Sequence, residues 1–320
     1  MYPLKFNPIL KERLWGGNKL GTVLGKPLEG EAIGESWELS GVAGDVSIVS
    51  NGELAGTSLT QLITKDPENL LGRSVLERFG KEFPILIKFI DAKKDLSIQL
   101  HPSDALAEAR HNSKGKTEMW YIMDADEGAE LIVGFNNTVT KGQYTDHLQK
   151  GRLTELLNYE KVKEGDTFFI NTGKIHAIGA GVLLAEIQQT SDITYRVYDF
   201  DRRDKDGKLR ELHTELALDA IDFEKKDDFK IRYAEDPDHV NLMVQCPYFK
   251  TTYLNLTDDF EEDLKSQDSF VIYVCVDGEA SLSNADGEVT LKKGETALIS
   301  ADTDRITIDT TGVKFLRVTL

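Results

Sequence analysis

From Pro84 onward the chain is built almost entirely of short apolar runs broken by glycine and polar turns, and this rhythm excludes most folds at once. The runs are Pro84 to Ile90, Leu96 to Leu100, Glu118 to Met123, Glu130 to Phe135, Thr167 to Ile170, Val182 to Gln188 and Ile193 to Tyr198. An acidic, Asp-rich stretch over 222–238 reads as a solvated connection. The pattern then resumes with Phe270 to Val276, Ala280 to Leu282, Val289 to Leu291, Thr296 to Ser300, Ile306 to Ile308 and Val313 to Val318. Strands this short and closely spaced predict antiparallel jelly rolls or barrels. The expected fold is mainly β, with one unit over 1–235, a second over 236–320, and a small helical portion beside the first. Ser58 and Gln61 form a capping box ahead of Leu59, Leu62 and Ile63, and Leu70, Leu71, Val75, Leu76 and Phe79 continue helical spacing after Pro67. These predict two short helices, and further helices are expected over 102–112, 143–158 and 210–222.

Charge narrows the partners. With 38 basic and 55 acidic residues the net charge is −17, which repels nucleic acid and anionic lipid. A small phosphorylated substrate would need a local basic pocket. No apolar run approaches the ~20 residues of a membrane span, and the start Met1-Tyr2-Pro3-Leu4-Lys5 has no apolar signal region. Cys246 and Cys275 are far apart in apolar context and read as buried thiols. A cytoplasmic protein is expected, without membrane or nucleic-acid partners.

Three segments carry chemistry. In Ser97-Ile98-Gln99-Leu100-His101, residues two apart share a strand face, so Gln99 and His101 point together while Ile98 and Leu100 point away. In Lys116-Thr117-Glu118-Met119-Trp120, Glu118 opens an apolar strand, an odd place for an unpaired carboxylate. In the third, Gly165 is followed after five residues by Asn171, then by Gly173 and His176. Two imidazoles, a carboxylate and an amide oxygen suit a divalent metal, with Zn²⁺ first and Mn²⁺ or Fe²⁺ tolerated. His111, His147, His213 and His239 lie on polar segments and are expected at the surface.

The third spacing resembles the second metal motif of the cupin superfamily, with Asn171 where Pro is common. The Gln99-x-His101…Glu118 set resembles the first, with Gln for the leading His and a long insertion before the Glu. Longer strings narrow the likeness: 83–92, 96–104, 116–121 and 191–199, together with Leu14-Trp15-Gly16-Gly17 and Gly34-Glu35-Ser36-Trp37-Glu38, are similar to the type I mannose-6-phosphate isomerases in their short bacterial form. That resemblance implies two cupin-like jelly rolls with a helical portion, and interconversion of mannose 6-phosphate and fructose 6-phosphate. It implies one zinc ion per chain on Gln99, His101, Glu118 and His176, and an active-site arginine at Arg196. A monomer or homodimer is expected.

Such isomerisation moves a proton between C1 and C2 through an enediol. Arg196 suits the cation that stabilises developing negative charge. Lys116, two residues before Glu118, is the candidate base, its pKa expected to fall near a dication. Asp192 is a candidate for ring opening or proton transfer. Lys88, a lysine in an apolar strand, is a candidate phosphate contact together with Ser97. Trp15, Trp37 and Trp120 are expected to pack in the core. Taking Gly294 as the counterpart of Gly165 puts Arg305 at the position of His176 and Asp302 at that of Gly173. The second unit therefore cannot repeat the metal site and reads as structural. Two other functions fit less well: an iron-dependent cupin oxygenase, against which the Gln ligand and Arg196 argue, and a non-catalytic sugar-phosphate binder, which would not need all four ligands.

Overall fold

The strands assemble into three antiparallel sheets in a computed structural model that describes every residue except 31, 205 and 228. A seven-stranded sheet lies in the middle. Its spatial order is Lys230–Ile231, Thr167–Ile170, Glu118–Ala125, Val182–Gln189, Ile85–Ala92, Ile9–Gly17 and Ile33–Leu39. One face, with Ile87, Phe89, Met119, Tyr121 and Ile187, packs on Ile272, Val274, Leu316 and Val318 of a nine-stranded sheet. The other face, with Ile90, Trp120, Ile122, Phe168 and Leu184, packs on Leu131, Val133 and Ile178 of a five-stranded sheet. Ile85–Ala92 and Val182–Gln189 are buried along their whole length. Burial on both faces explains why these two read as near-continuous apolar runs rather than alternating ones.

The five-stranded sheet runs Tyr195–Tyr198, Ile98–Leu100, His176–Ile178, Glu130–Phe135 and Leu157–Lys161. Its outer face, with Ile98, Leu100, Ala177, Tyr195 and Val197, is covered by Tyr144, Leu153 and Ala217 from the helical segments. Alternation then turns Gln99, His176 and Arg196 inward, between the two sheets.

The nine-stranded sheet is built around Val271–Asn284. The first half of this strand pairs with Thr296–Ile299 and Val313–Thr319, and its second half with Gly287–Lys292 and Arg305–Asp309. Leu254, Tyr273, Leu282, Ile306 and Phe315 fill its separate core. Leu4–Lys5 pairs with Ala297 and Leu298, so the start of the chain lies in this sheet. The mainly β architecture is as the sequence predicts.

The helices differ from expectation in detail. Residues 59–79 form three helices, Leu59–Lys65, Pro67–Leu71 and Arg73–Phe79, because Gly72 at φ +90° breaks the second run. The expected helix over 143–158 is Lys141–Gln149; Gly151 at φ +67° ends it, and a 3₁₀ turn leads into the strand Leu157–Lys161. Over 210–222 only Thr214–Ala217 is helical, since the His213 amide donates instead to the Arg196 carbonyl at 2.7 Å. The 222–238 stretch is not purely a solvated connection: Phe229 is buried and Lys230–Ile231 adds an edge strand. Cys275 is buried, but Cys246 is only half-buried, and both are free. Among the described residues no helix is long and apolar enough to cross a membrane.

Candidate metal centre and active site

Strand register brings the first candidate ligands together. Gln99 lies opposite His176 on one side and opposite Arg196 on the other. Directly opposed residues share a face, so amide, imidazole and guanidinium form one row. His101 follows one residue after the strand Ile98–Leu100, and its carbonyl accepts from the Gly173 amide at 2.8 Å. That bond ties the two metal-motif segments together. Gly173 has φ +83°, and a Cβ there would lie 2.7 Å from the Ala220 carbonyl oxygen, so glycine alone fits.

The middle sheet supplies the facing wall. Glu118 is the first residue of its strand, and Glu186 sits in register with both Lys88 and Trp120. His101 Nε2 is 3.5 Å from Glu118 Oε2, and His176 Nε2 is 3.6 Å from Glu118 Oε1. The two imidazole centroids are 4.9 Å apart, and the three donor atoms lie within 4.8 Å of one another, all buried. His101 Nδ1 is 2.8 Å from the Ile193 carbonyl and His176 Nδ1 is 2.9 Å from the Lys174 carbonyl. A carbonyl can only accept, so both Nδ1 atoms carry the proton and both Nε2 atoms present lone pairs.

Two of these buried atoms, Glu118 Oε1 and His176 Nε2, have no hydrogen-bond partner. Buried polar atoms are seldom left so, and two aimed at one point fit a cation between them. The titration of the group agrees. Burial lowers His176 to about 4, the Lys116 charge adding and the Lys174 carbonyl opposing. His101 falls well below its ordinary value through burial, then Lys116 and His176. Both are neutral near pH 7, as ligation requires. Glu118 is raised to about 7 by burial and by the Glu186 charge, against Lys116; a dication would remove that penalty.

A cavity of about 350 Å³ opens beside this group, lined among others by Gln99, His176, Lys116, Glu186 and Arg196. Lys116 Nζ donates to Glu118 Oε2, lies 3.3 Å from His101 Nε2, and is 3.8 Å from Glu186 Oε1. Burial opposes its charge, but Glu118 and Glu186 prevail and its pKa is raised. Lys88 also reaches the cavity, where its ammonium is committed to Glu186 at 3.1 Å and lies 5.0 Å from the centroid of the Trp37 ring. Ser97 Oγ donates to Gln99 Oε1 at 3.3 Å and accepts from Arg196 Nε at 3.2 Å. Asp192 is exposed at the cavity mouth. Trp15, Trp37 and Trp120 are buried as expected, and each also contributes to the cavity wall.

Most cations here are paired with carboxylates: Arg13 with Glu35, and Arg210 and Arg202 with Asp199. Arg196 differs. Its guanidinium is held by neutral oxygens, Ser97 Oγ and the Glu211 carbonyl at 3.0 Å. Burial and the charge of Arg210 lower its pKa, so an anion beside it would be welcome.

Sequence reasoning missed Glu186, which binds Lys88 and also accepts from Trp120 Nε1 at 3.0 Å. The signal was present: a carboxylate in an apolar strand, as at Glu118. It also missed His213, whose Nδ1 accepts from the Arg196 amide at 3.2 Å. His111 and His239 are exposed as expected, and His147 and His213 are half-exposed. In the second unit Arg305 is an exposed partner of Glu261. A half-buried Glu262 holds the buried Arg317 and Tyr273 there.

The sequence model for "Phosphomannose isomerase type I, catalytic domain" matches residues 4–146, and that for "Mannose-6-phosphate isomerase, cupin domain" matches 239–319. The chain is 38% identical over 300 residues to mannose-6-phosphate isomerase ManA of Bacillus subtilis, covering 93% of this chain and 92% of that one. It is 40% identical over 219 residues to a mannose-6-phosphate isomerase of Streptococcus mutans, covering 68% and 67%. The crystal structure of the mannose 6-phosphate isomerase from Bacillus subtilis superimposes with a TM-score of 0.91 at 32% identity, covering 100% of both chains.

Proposed function

The chain belongs to the type I phosphomannose isomerases, which interconvert mannose 6-phosphate and fructose 6-phosphate, and we propose that it does so with one zinc ion held by Gln99, His101, Glu118 and His176. The observation that carries the metal assignment is the buried His101–Glu118–His176 group, with two polar atoms otherwise unpartnered, at the wall of a cavity. When bound, zinc would supply Lewis-acid polarisation of the substrate carbonyl and its neighbouring oxygen.

The remaining work falls to the chain. Lys116 Nζ carries the proton between C1 and C2. Two carboxylates hold its charge, and Glu118 is the one assigned to the metal. Glu186 then remains its partner, and its hold on the proton weakens toward what a base near neutral pH needs. Arg196, held by Ser97 and the Glu211 carbonyl, presents its free charge to the developing enediolate. Asp192, at the mouth, assists opening of the sugar ring. The phosphate is assigned to the side of the cavity lined by Lys88 and Ser97. The metal chemistry is assigned to residues 1–235, with 236–320 as a packing unit; every assigned side chain falls in the first.

Metal analysis and turnover of mannose 6-phosphate test the proposal together. One zinc per chain is expected, with activity lost on complete chelation and restored by zinc. Turnover that persists after complete metal removal would reject the mechanism.

A further inference from the structure

The backbone that carries Lys116 is pinned at three points. Asp104 Oδ1 accepts from the Gly115 amide at 2.8 Å. Gln189 Oε1 accepts from the Thr117 amide at 2.8 Å. Ser191 Oγ donates to the Lys114 carbonyl at 2.8 Å. Lys116 therefore sits between two amides, at 115 and 117, each captured by a side chain.

These contacts form one connected group. Gln189 Nε2 donates to Asp104 Oδ1 at 3.1 Å, so a single carboxylate oxygen gathers both the loop and the strand behind it. The other oxygen, Oδ2, accepts from Tyr248 Oη at 2.5 Å. Tyr248 lies 144 residues further along the chain, in the unit over 236–320. Burial opposes the Asp104 charge, but hydrogen bonds from Tyr248, Gly115 and Gln189 hold its carboxyl below the usual range. Gly115 gives an independent sign of close fit: a Cβ there would lie 2.8 Å from the Asp104 backbone nitrogen and 3.0 Å from the Pro102 carbonyl oxygen.

Lys116 is buried, and a close-packed interior leaves its side chain few alternative paths, so where its ammonium rests depends on where its backbone is held. Here that ammonium must meet Glu118 and lie 3.3 Å from His101 Nε2. We propose that Asp104, braced by Gln189 and by Tyr248 from the C-terminal unit, is a positioning residue that sets Lys116 Nζ against the metal centre. This rests on the reading of Lys116 as the proton carrier. It also gives the C-terminal unit a part in catalysis through one phenol.

The test compares wild type, Asp104→Asn, Tyr248→Phe, Lys116→Met and the double variant Asp104→Asn/Lys116→Met. Each is measured for kcat, KM for mannose 6-phosphate, zinc per chain and thermal midpoint. A displacement of the reacting group by about 1 Å can lower a rate about 100-fold. Asp104→Asn should accordingly lose about 10- to 100-fold in kcat, with KM within about twofold and zinc content unchanged. Tyr248→Phe, which removes one hydroxyl and keeps the ring, should lose about 3- to 10-fold in kcat with KM and zinc likewise unchanged. In the Lys116→Met background, Asp104→Asn should change the residual rate by less than about twofold, because nothing remains to be positioned.

Wild-type kcat in folded, zinc-loaded Asp104→Asn would overturn the proposal. So would an equal further loss in the Lys116→Met background, which would make Asp104 merely structural. If Asp104→Asn does not fold, Tyr248→Phe decides: wild-type kcat there overturns the proposal. If Lys116→Met alone turns over like wild type, the reading of Lys116 fails and the positioning role falls with it. That outcome is distinct because Asp104 is intact in the protein that shows it.

Discussion

Stripped of its metal, the site should contribute two opposing pH dependences to stability between about pH 4.5 and 6.5, one from Glu118 and one from His176. Glu118 is raised from 4.5 to about 7, by burial first and by Glu186 second. The folded protein therefore keeps a proton that the unfolded chain has released. That stabilisation is complete below 4.5 and is lost as pH rises to about 7. His176 is lowered from 6.5 to about 4, chiefly by burial. The folded protein here lacks a proton that the unfolded chain binds. Its stabilisation is complete above 6.5 and is lost as pH falls to about 4. At about 1.4 kcal/mol per pH unit, each shift corresponds to about 3 kcal/mol.

The two shifts have opposite signs, so substitution of each side chain should show its own slope. Relative to wild type, metal-free Glu118→Gln should gain about 3 kcal/mol as pH rises from 4.5 to 7. Metal-free His176→Gln should lose about 3 kcal/mol as pH rises from 4 to 6.5. His101 shifts in the same sense as His176 and is present in all three proteins, so the differences from wild type carry the test. The assay is urea unfolding in chelator at half-unit pH steps, read as midpoint and slope. Two difference curves with slopes of the same sign, or two flat ones, would refute the assignment of these shifts to burial at one site.

Three further outcomes are expected. His176→Ala should lose both zinc and activity, whereas Arg196→Ala should lose most of kcat and keep the zinc; metal analysis beside kinetics checks both, and a metal-free Arg196→Ala would make the arginine structural. Glu186→Gln leaves Lys88 and Lys116 with weaker partners in the interior and should destabilise the protein by about 3–5 kcal/mol, read from urea midpoints. A chain of residues 1–235 alone would bare Ile87, Phe89, Met119, Tyr121 and Ile187. It should aggregate or bind hydrophobic dye, and a soluble, dye-silent monomer would show that the nine-stranded sheet is dispensable for folding.

How far the sequence could be read follows from the range of the interactions involved. Gln99 and His101 were legible because a period of two residues fixes a face whatever the sheet around it. Glu118 was legible because a carboxylate opening an apolar strand needs a partner. The pairing of Lys88 with Glu186 was not, since it joins residues 98 apart and depends on a register that no local pattern sets. Asp199 shows the same limit from the other side. It lies three residues from Arg196, yet Arg202 and Arg210 occupy it. The helices failed locally for backbone reasons: positive φ at Gly72 and Gly151 cut runs whose apolar spacing continues past them.

The middle sheet explains why site and scaffold are difficult to separate in such a chain. Its strands Ile85–Ala92 and Val182–Gln189 are buried on both faces, with the nine-stranded sheet against one and the five-stranded sheet against the other. Along each strand the residues alternate between these two environments. Ile87, Phe89, Ala185 and Ile187 serve the scaffold, while Lys88 and Glu186, between them, serve the cavity. Charged groups so placed cannot turn to water, so they must find one another or a ligand. Lys88, Lys116, Glu118 and Glu186 do both. Their mutual pairing keeps the interior stable, and the two atoms that the pairing leaves over, Glu118 Oε1 and His176 Nε2, are where a cation completes it.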